Sequence, residues 1–215
     1  MSSSRSESMT ATVAAAFPQF TDPPAEPVGL LRGWLADAVR DEVREPRALA
    51  LATTDARGRS SSRIVVINQV TDTGLVFLTH EGSRKGRDLA VNPWASGVLY
   101  WRETSQQISV AGPVHRLPAA ATAELWRARA VFTHAMSTAS RQSEPLDGLA
   151  AVETLRGRAL ALGASGAPLP CPDGFAAYEL GFDSVEFWAD GADRLHERLR
   201  YERAGAQWRV DRLQP

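Results

Sequence analysis

Short apolar runs, each closed by a turn signal, recur through this chain and restrict its fold more than any other feature. Ala48–Thr54 ends at the turn Asp55-Ala-Arg-Gly58, and Ser62–Gln69 ends at Thr71-Asp-Thr-Gly74. Leu75–Thr79 then completes a predicted antiparallel meander. Further strands are predicted at Ser96–Trp101, Gln107–Leu117 (with a bulge or bend at Gly112-Pro113), Phe175–Phe182, Ser184–Trp188, Arg194–Glu202 and Gln207–Leu213. Helical spacing predicts helices over Pro27–Val43, Ser83–Val91, Pro118–Ala130 and about Leu146–Leu162. The helices are inserted among the strands rather than alternating with them. That order excludes a doubly wound parallel sheet and predicts an α+β protein on a closed or partly closed antiparallel barrel.

A chain of 215 residues can bury a sizeable core, and 26–215 reads as one domain behind a Ser-rich, disordered arm over 1–25. The net charge of −1 argues against nucleic acid or an anionic membrane as the main partner, so any anion site is local. No apolar run approaches the ~20 residues of a membrane helix, and the start lacks the pattern of a signal peptide. Cys171, the only cysteine, stands between two prolines. It allows no internal disulfide and points to a reducing cytoplasm.

Familiar catalytic signatures are missing. There is no glycine-rich nucleotide fingerprint, no P-loop and no G-x-S-x-G elbow. The four histidines, His80, His115, His134 and His196, are scattered, so no metal site is predicted. Basic groups and backbone remain as the means of holding a ligand.

Three segments carry that chemistry. Read as a strand, 194–201 puts Leu195, Leu199 and Tyr201 on one face with Glu197, and Arg194, His196, Arg198 and Arg200 on the other. Such a row of cations suits a phosphate or carboxylate, although a solvated face, or a helix with Arg194 and Arg198 one turn apart, gives the same pattern. In Thr79-His-Glu-Gly-Ser-Arg-Lys85 a strand ends, Gly82 allows a tight turn and Ser83 caps a helix. Arg84 and Lys85 oppose that helix's dipole unless an anion binds there; the alternative is that both point into water. In Arg63-Ile-Val-Val-Ile-Asn68 an arginine opens an apolar strand, either to meet an anion or simply to snorkel. Gln107 and Gln142-Ser143 offer amides and a hydroxyl to a heterocycle's edge. On composition alone Trp188 is a core residue.

Together these blocks resemble the pyridoxamine 5′-phosphate oxidase family of FMN-dependent split-barrel proteins. The carriers are Arg63-Ile-Val-Val-Ile, Gly82-Ser-Arg-Lys85, Gln107, Arg141-Gln-Ser143, Glu186-Phe-Trp followed by Arg194-Leu-His-Glu-Arg198, and the ending Trp208 to Pro215. The resemblance runs from about Arg47 to the C-terminus. It implies an FMN-binding split β-barrel with flanking helices, active as a homodimer with its FMN sites at the interface. By the same resemblance Arg63, Ile64, Val65, Val66, Leu78 and Thr79 line the flavin. Ser83, Arg84 and Lys85 hold its phosphate, and Gln107, Gln142, Ser143, Trp188 and Arg198 complete the site. Arg194 and His196 face the substrate as the catalytic pair.

Where the family holds its substrate phosphate with Lys, Tyr, Arg and Ser, this chain has Asn68, Leu125, Arg129 and Thr133. A cation and an aromatic hydroxyl are gone, each worth about 1.5–3 kcal/mol when bonded to a phosphate. Asn68, Arg129 and Thr133 then line a roomier, more apolar substrate pocket. The pattern resembles the phenazine-biosynthesis branch, as do the blocks at 44–52 and 92–107. That branch implies oxidation of reduced phenazine carboxylates with O2 as acceptor and H2O2 as product. A true pyridoxine or pyridoxamine 5′-phosphate oxidase and a non-catalytic flavin-binding protein are the alternatives.

Overall fold

The computed structural model describes residues 11–13, 15–191 and 195–215. In chain order these form α1 (Pro27–Arg40), β1 (Ala48–Thr54), β2 (Ser60–Val70), β3 (Gly74–His80), α2 (Arg84–Val91), β4 (Trp94–Trp101) and β5 (Gln106–Arg116). Then follow α3 (Ala119–Ala128), α4 (His134–Ala139), α5 (Gly148–Gly163), β6 (Phe175–Gly181), β7 (Ser184–Ala189), β8 (Glu197–Ala204) and β9 (Gln207–Arg212).

All strand pairings are antiparallel. The order β4-β1-β2-β3-β6-β5, with β4 pairing back onto β5, closes a ring, and β7, β8 and β9 extend from β5 as a wing. This is a split barrel flanked by helices. β5 makes the split possible because it serves both parts. Its residues 106–111 pair with β7, whereas Val114–Arg116 pair with β6. The strand crosses over at Gly112, where a Cβ would lie 2.0 Å from the Gly181 carbonyl oxygen, so only glycine fits. The bend expected at Gly112-Pro113 has this as its cause.

Alternation sets the core. Leu49 and Leu51 of β1, Ile108 of β5, Phe187 of β7, and Leu199 and Tyr201 of β8 all point inward and are fully covered. Trp34 of α1 closes one side, meeting the Phe187 ring at 5.2 Å edge-on. Tyr201 donates its hydroxyl to the Pro24 carbonyl, and burial pushes that hydroxyl up to about 12.

Three expectations need correction. Residues 11–13 and 15–25 are not a disordered arm. The amides of Thr12 and Val13 donate to the Glu103 carbonyl, Phe17 packs edge-on against Trp34 at 4.8 Å, and Arg212 donates to the carbonyls of Phe20 and Thr21. Phe17 is buried and Phe20 packs against the core, apolar burial that opposes the entropy cost of ordering the segment. The strand expected from Arg194 begins instead at Glu197, so Leu195 lies in the preceding loop and is 69% exposed. Arg200 is not simply solvated: it sits opposite Glu186 in register and pairs with Glu202 at 3.3 Å. α4 went unforeseen because six residues give too short a periodicity to read.

Candidate functional site

The predicted residues fall into two groups. The first gathers where β3 runs into α2. Lys85 is buried at 7% exposure, and its ammonium donates to Thr79 Oγ1 and Gln142 Oε1, each at 3.0 Å. Thr79 Oγ1 itself donates to Gln142 Oε1 at 2.9 Å and shares a 3.2 Å hydrogen bond with Ser83. Ser83 caps α2 by accepting from the Gly86 amide. The Arg84 amide donates to Ser143 Oγ, a residue held at φ 74°. Two blocks some sixty residues apart thus form one polar network, the closest tie between them having a sequence separation of 57.

The electrostatics of this corner are unbalanced. Burial, then the neighbouring Arg63, pushes the Lys85 ammonium down to about 8. Burial also lowers Arg63, with Arg84 adding repulsion and Asp88 opposing it. Asp88, 5% exposed, lies 3.8 Å from Arg63 and accepts from Thr53 and Ser61. Among the described residues no carboxylate pairs with Arg84 or Lys85 within 4 Å. Three cations therefore face one buried carboxylate at a helix start, which fits a phosphate carrying close to two negative charges. Asp88, Thr53 and Ser61 were not foreseen. Their signal was weak, although Asp88 lies one helical turn after Arg84.

The second group is a cross-strand row on the outer face of the sheet. Tyr100 opposes Gln107, Gln107 opposes Trp188, and Trp188 opposes Arg198. Gln107 donates to Ser109 at 3.1 Å. The Trp188 ring is half-buried and packs against the His196 imidazole, centroids 4.8 Å apart. Arg198 is held by Glu186 Oε1 at 2.8 and 2.7 Å, and donates a third bond to the Gln214 carbonyl at 3.0 Å. It is therefore a clamped cation with its fork pre-set. Glu186 was not singled out as a partner, though its place two residues before Trp188 puts it on the same face.

β2 contributes to both groups because its side chains alternate. Arg63 turns inward, donating to Thr53 and Ser61, and Val65 is buried at 8%, so only the backbone of Val65 can meet a ligand. Ile64 and Val66 turn outward and are 63% and 62% exposed. They share the outer face with Gln107 but lie three strand spacings away through β1 and β4, about 14 Å along the sheet. Leu78 is half-buried, packed beside Val76 and Leu125.

The expected substrate residues sit apart. Asn68 is at the irregularity in the β2–β3 register. Leu125 is buried against Val76 and Ala177. Arg129 donates to Ser137 and lies over the Trp126 and Phe175 rings, 5.2 and 5.1 Å from their centroids, with burial lowering its affinity for the proton. Thr133 bonds the Ala130 carbonyl. His196 pairs through Nδ1 with Asp190, whereas Arg194 lies outside the described residues. Neither Lys85 nor Trp188 lines the cavity of about 840 Å³ between the N-terminal segment and α1.

Comparison with known proteins bears on both groups. Residues 35–156 match the family model of pyridoxamine 5′-phosphate oxidase, and 175–215 match the pyridoxine 5′-phosphate oxidase C-terminal dimerisation region. The chain is 53% identical to dihydrophenazinedicarboxylate synthase of Pseudomonas chlororaphis, covering 98% of this chain and 93% of that one. It is 36% identical to the pyridoxine/pyridoxamine 5′-phosphate oxidase of Deinococcus deserti, covering 89% and 90%. The crystal structure of PhzG from Burkholderia lata in complex with tetrahydrophenazine-1-carboxylic acid superposes with a TM-score of 0.91 at 49% identity, over 95% of this chain and 100% of that one. The chain belongs to the pyridoxamine 5′-phosphate oxidase family and is an FMN-dependent oxidoreductase.

Proposed function

We propose that this chain forms a homodimeric oxidase that dehydrogenates reduced phenazine carboxylates, at the hexahydro or tetrahydro level, with O2 as acceptor. The observation that carries the cofactor reading is the buried Lys85 ammonium, held by neutral oxygens beside Arg63 and Arg84 with no carboxylate pairing it among the described residues. An FMN phosphate supplies the missing charge. Ser83, Arg84, Gln142 and Ser143 surround that phosphate, while Ile64, Val66, Leu78 and Thr79 offer apolar side chains and backbone to the ring. The outer row of Gln107, Trp188 and Arg198 completes the site from a second copy of the chain. Two features support this division: the strand spacing between the rows, and the exposed apolar Ile64 and Val66 on the shared face.

When bound, FMN supplies a two-electron acceptor that O2 reoxidises, yielding H2O2. The protein orients the substrate and excludes water. Arg129 and Arg194 provide cations for carboxylates, and His196 takes up the proton released from a ring nitrogen. Asn68 and Thr133 line a pocket in which Leu125 brings no hydroxyl, which disfavours a substrate phosphate. The identity to the dihydrophenazinedicarboxylate synthase supports the same substrate class. A lone cysteine suits a reducing cytoplasm, and no helix among the described residues is long and apolar enough to cross a membrane.

A peroxide assay in air tests the reading. FMN-loaded protein given a reduced phenazine carboxylate is expected to release H2O2 at a kcat/KM at least about 100-fold above that for pyridoxine 5′-phosphate, the scale of two lost phosphate contacts. A preference for pyridoxine 5′-phosphate overturns the substrate, and no peroxide from either overturns the oxidase.

A further inference from the structure

The geometry points to Asp190 as a positioning residue that fixes His196 in the tautomer with Nδ1 protonated and Nε2 free to accept the substrate's proton. This rests on the oxidase reading above. Asp190 Oδ1 lies 3.1 Å from His196 Nδ1, with the two side chains 29% and 20% exposed. The opposite constraint comes from Trp188, whose ring packs against the imidazole at 41°. Carboxylate and indole together leave the ring one orientation.

The backbone that carries the carboxylate is itself anchored. The Asp190 amide donates to the Ser105 carbonyl at 3.2 Å, in the turn between β4 and β5, where Ser105 is held at φ 48°. At the next residue a Cβ on Gly191 would lie 1.9 Å from the Leu195 carbonyl oxygen. Glycine alone at 191 permits this close approach of the Leu195 backbone, next to His196.

Nδ1 has a second neighbour, the Gly191 amide at 3.4 Å. A single nitrogen cannot both accept from that amide and donate to Asp190. The amide meets hydrogen-bond geometry, and the carboxylate is a 3.1 Å ion-pair contact. A bare Nδ1 lone pair that close to a carboxylate oxygen would be repelled, so the charged neighbour places the proton on Nδ1. Nε2 then carries the lone pair, and it makes no hydrogen bond to any described residue.

The step balances as follows. Oxidation removes two electrons and two protons from the substrate: one C–H leaves as hydride and one N–H as a proton. Nε2 accepts the proton and returns it to solvent, while the electron pair ends on O2, which with two protons becomes H2O2. An acceptor nitrogen already oriented toward that proton is the contribution of Asp190.

The test pairs spectroscopy with kinetics on the FMN-loaded dimer. ¹⁵N correlation spectra of histidine-labelled protein, taken where the ring is neutral, are expected to show His196 as the Nδ1–H tautomer, and Asp190→Asn is expected to shift it toward Nε2–H. With a reduced phenazine carboxylate, Asp190→Asn is expected to lower kcat at least about tenfold, at the modest end of general-base effects, with KM and bound FMN unchanged. Asp190→Glu is expected to recover part of that loss. In a His196→Asn background the Asp190 change is expected to cost nothing further. An Nε2–H tautomer in the unmodified protein, a kcat within twofold for Asp190→Asn, or a full additional loss without His196 would each overturn the assignment. A wild-type enzyme that leaves the phenazine carboxylate untouched refutes the oxidase reading instead, and the tautomer still decides the pair.

Discussion

The corner at the start of α2 and the outer row of the sheet are built on opposite plans. In the corner Lys85, Thr79, Ser83 and Gln142 already bond to one another, and what is missing is negative charge. In the outer row Arg198 is neutralised by Glu186, and what is missing is cover, since Ile64 and Val66 stand exposed on the same face. A ligand phosphate satisfies the first deficit, and a second protein surface satisfies the second. Both are met at once if the cofactor lies between two chains.

The largest expected effect separates cover from charge. Val66→Asp puts a carboxylate on the face proposed to be buried on dimerisation, where an unpaired charge costs several kcal/mol, about 3–5 by the usual scale. Because Val66 is 62% exposed in the single chain, the monomer fold is expected to survive. Light scattering is expected to show monomers with native circular dichroism and little bound FMN. Dimers carrying a full complement of FMN would break the comparison.

Lys85→Met removes charge and leaves cover intact. FMN affinity is expected to fall about 10- to 100-fold, as for one charge-assisted bond. The apoprotein is expected to hold or gain stability, because a buried ammonium without a carboxylate is removed. Fluorescence titration and thermal melts read the two. A weaker apoprotein would mean that the ammonium mainly holds the fold.

A smaller effect follows from pH. With the folded ammonium pushed down to about 8 from an ordinary 10.5, the corner loses the Lys85 charge, one of its three, as pH rises through about 8. FMN affinity is expected to fall above that point, by no more than tenfold per pH unit. Apoprotein stability runs the other way. Between about pH 8 and 10.5 the unfolded lysine holds a proton that the folded one has released, so stability rises with pH. Both trends should vanish in Lys85→Met.

The two regions also differ in how far they could be read from sequence. The strands of the barrel announce themselves by alternation and turns, and Ala48–Thr54 was bounded to the residue because Asp55-Ala-Arg-Gly58 closes it so plainly. The corner was legible as a helix start bearing two misplaced cations. Its buried carboxylate Asp88 was not, since nothing local tells a helix residue that it faces Arg63. In β2 the run Ile-Val-Val-Ile is apolar on both faces, so its division into buried Val65 and exposed Ile64 and Val66 depends on tertiary packing. The basic stripe was read three residues too far back: β8 begins only at Glu197, after Gly191 has met the Leu195 backbone. His196 meets Asp190, six residues before it, a contact without periodicity to betray it.

The most direct test is complementation between the two halves. Lys85→Met and Arg198→Ala, each expected to bind little FMN as a homodimer, are coexpressed with different tags and the mixed dimer is isolated. If each site takes its corner from one chain and its row from the other, one site carries both changes and the other carries neither. The mixed dimer is then predicted to bind FMN at half the wild-type stoichiometry with wild-type affinity. A mixed dimer that binds no more FMN than either homodimer would contradict the account.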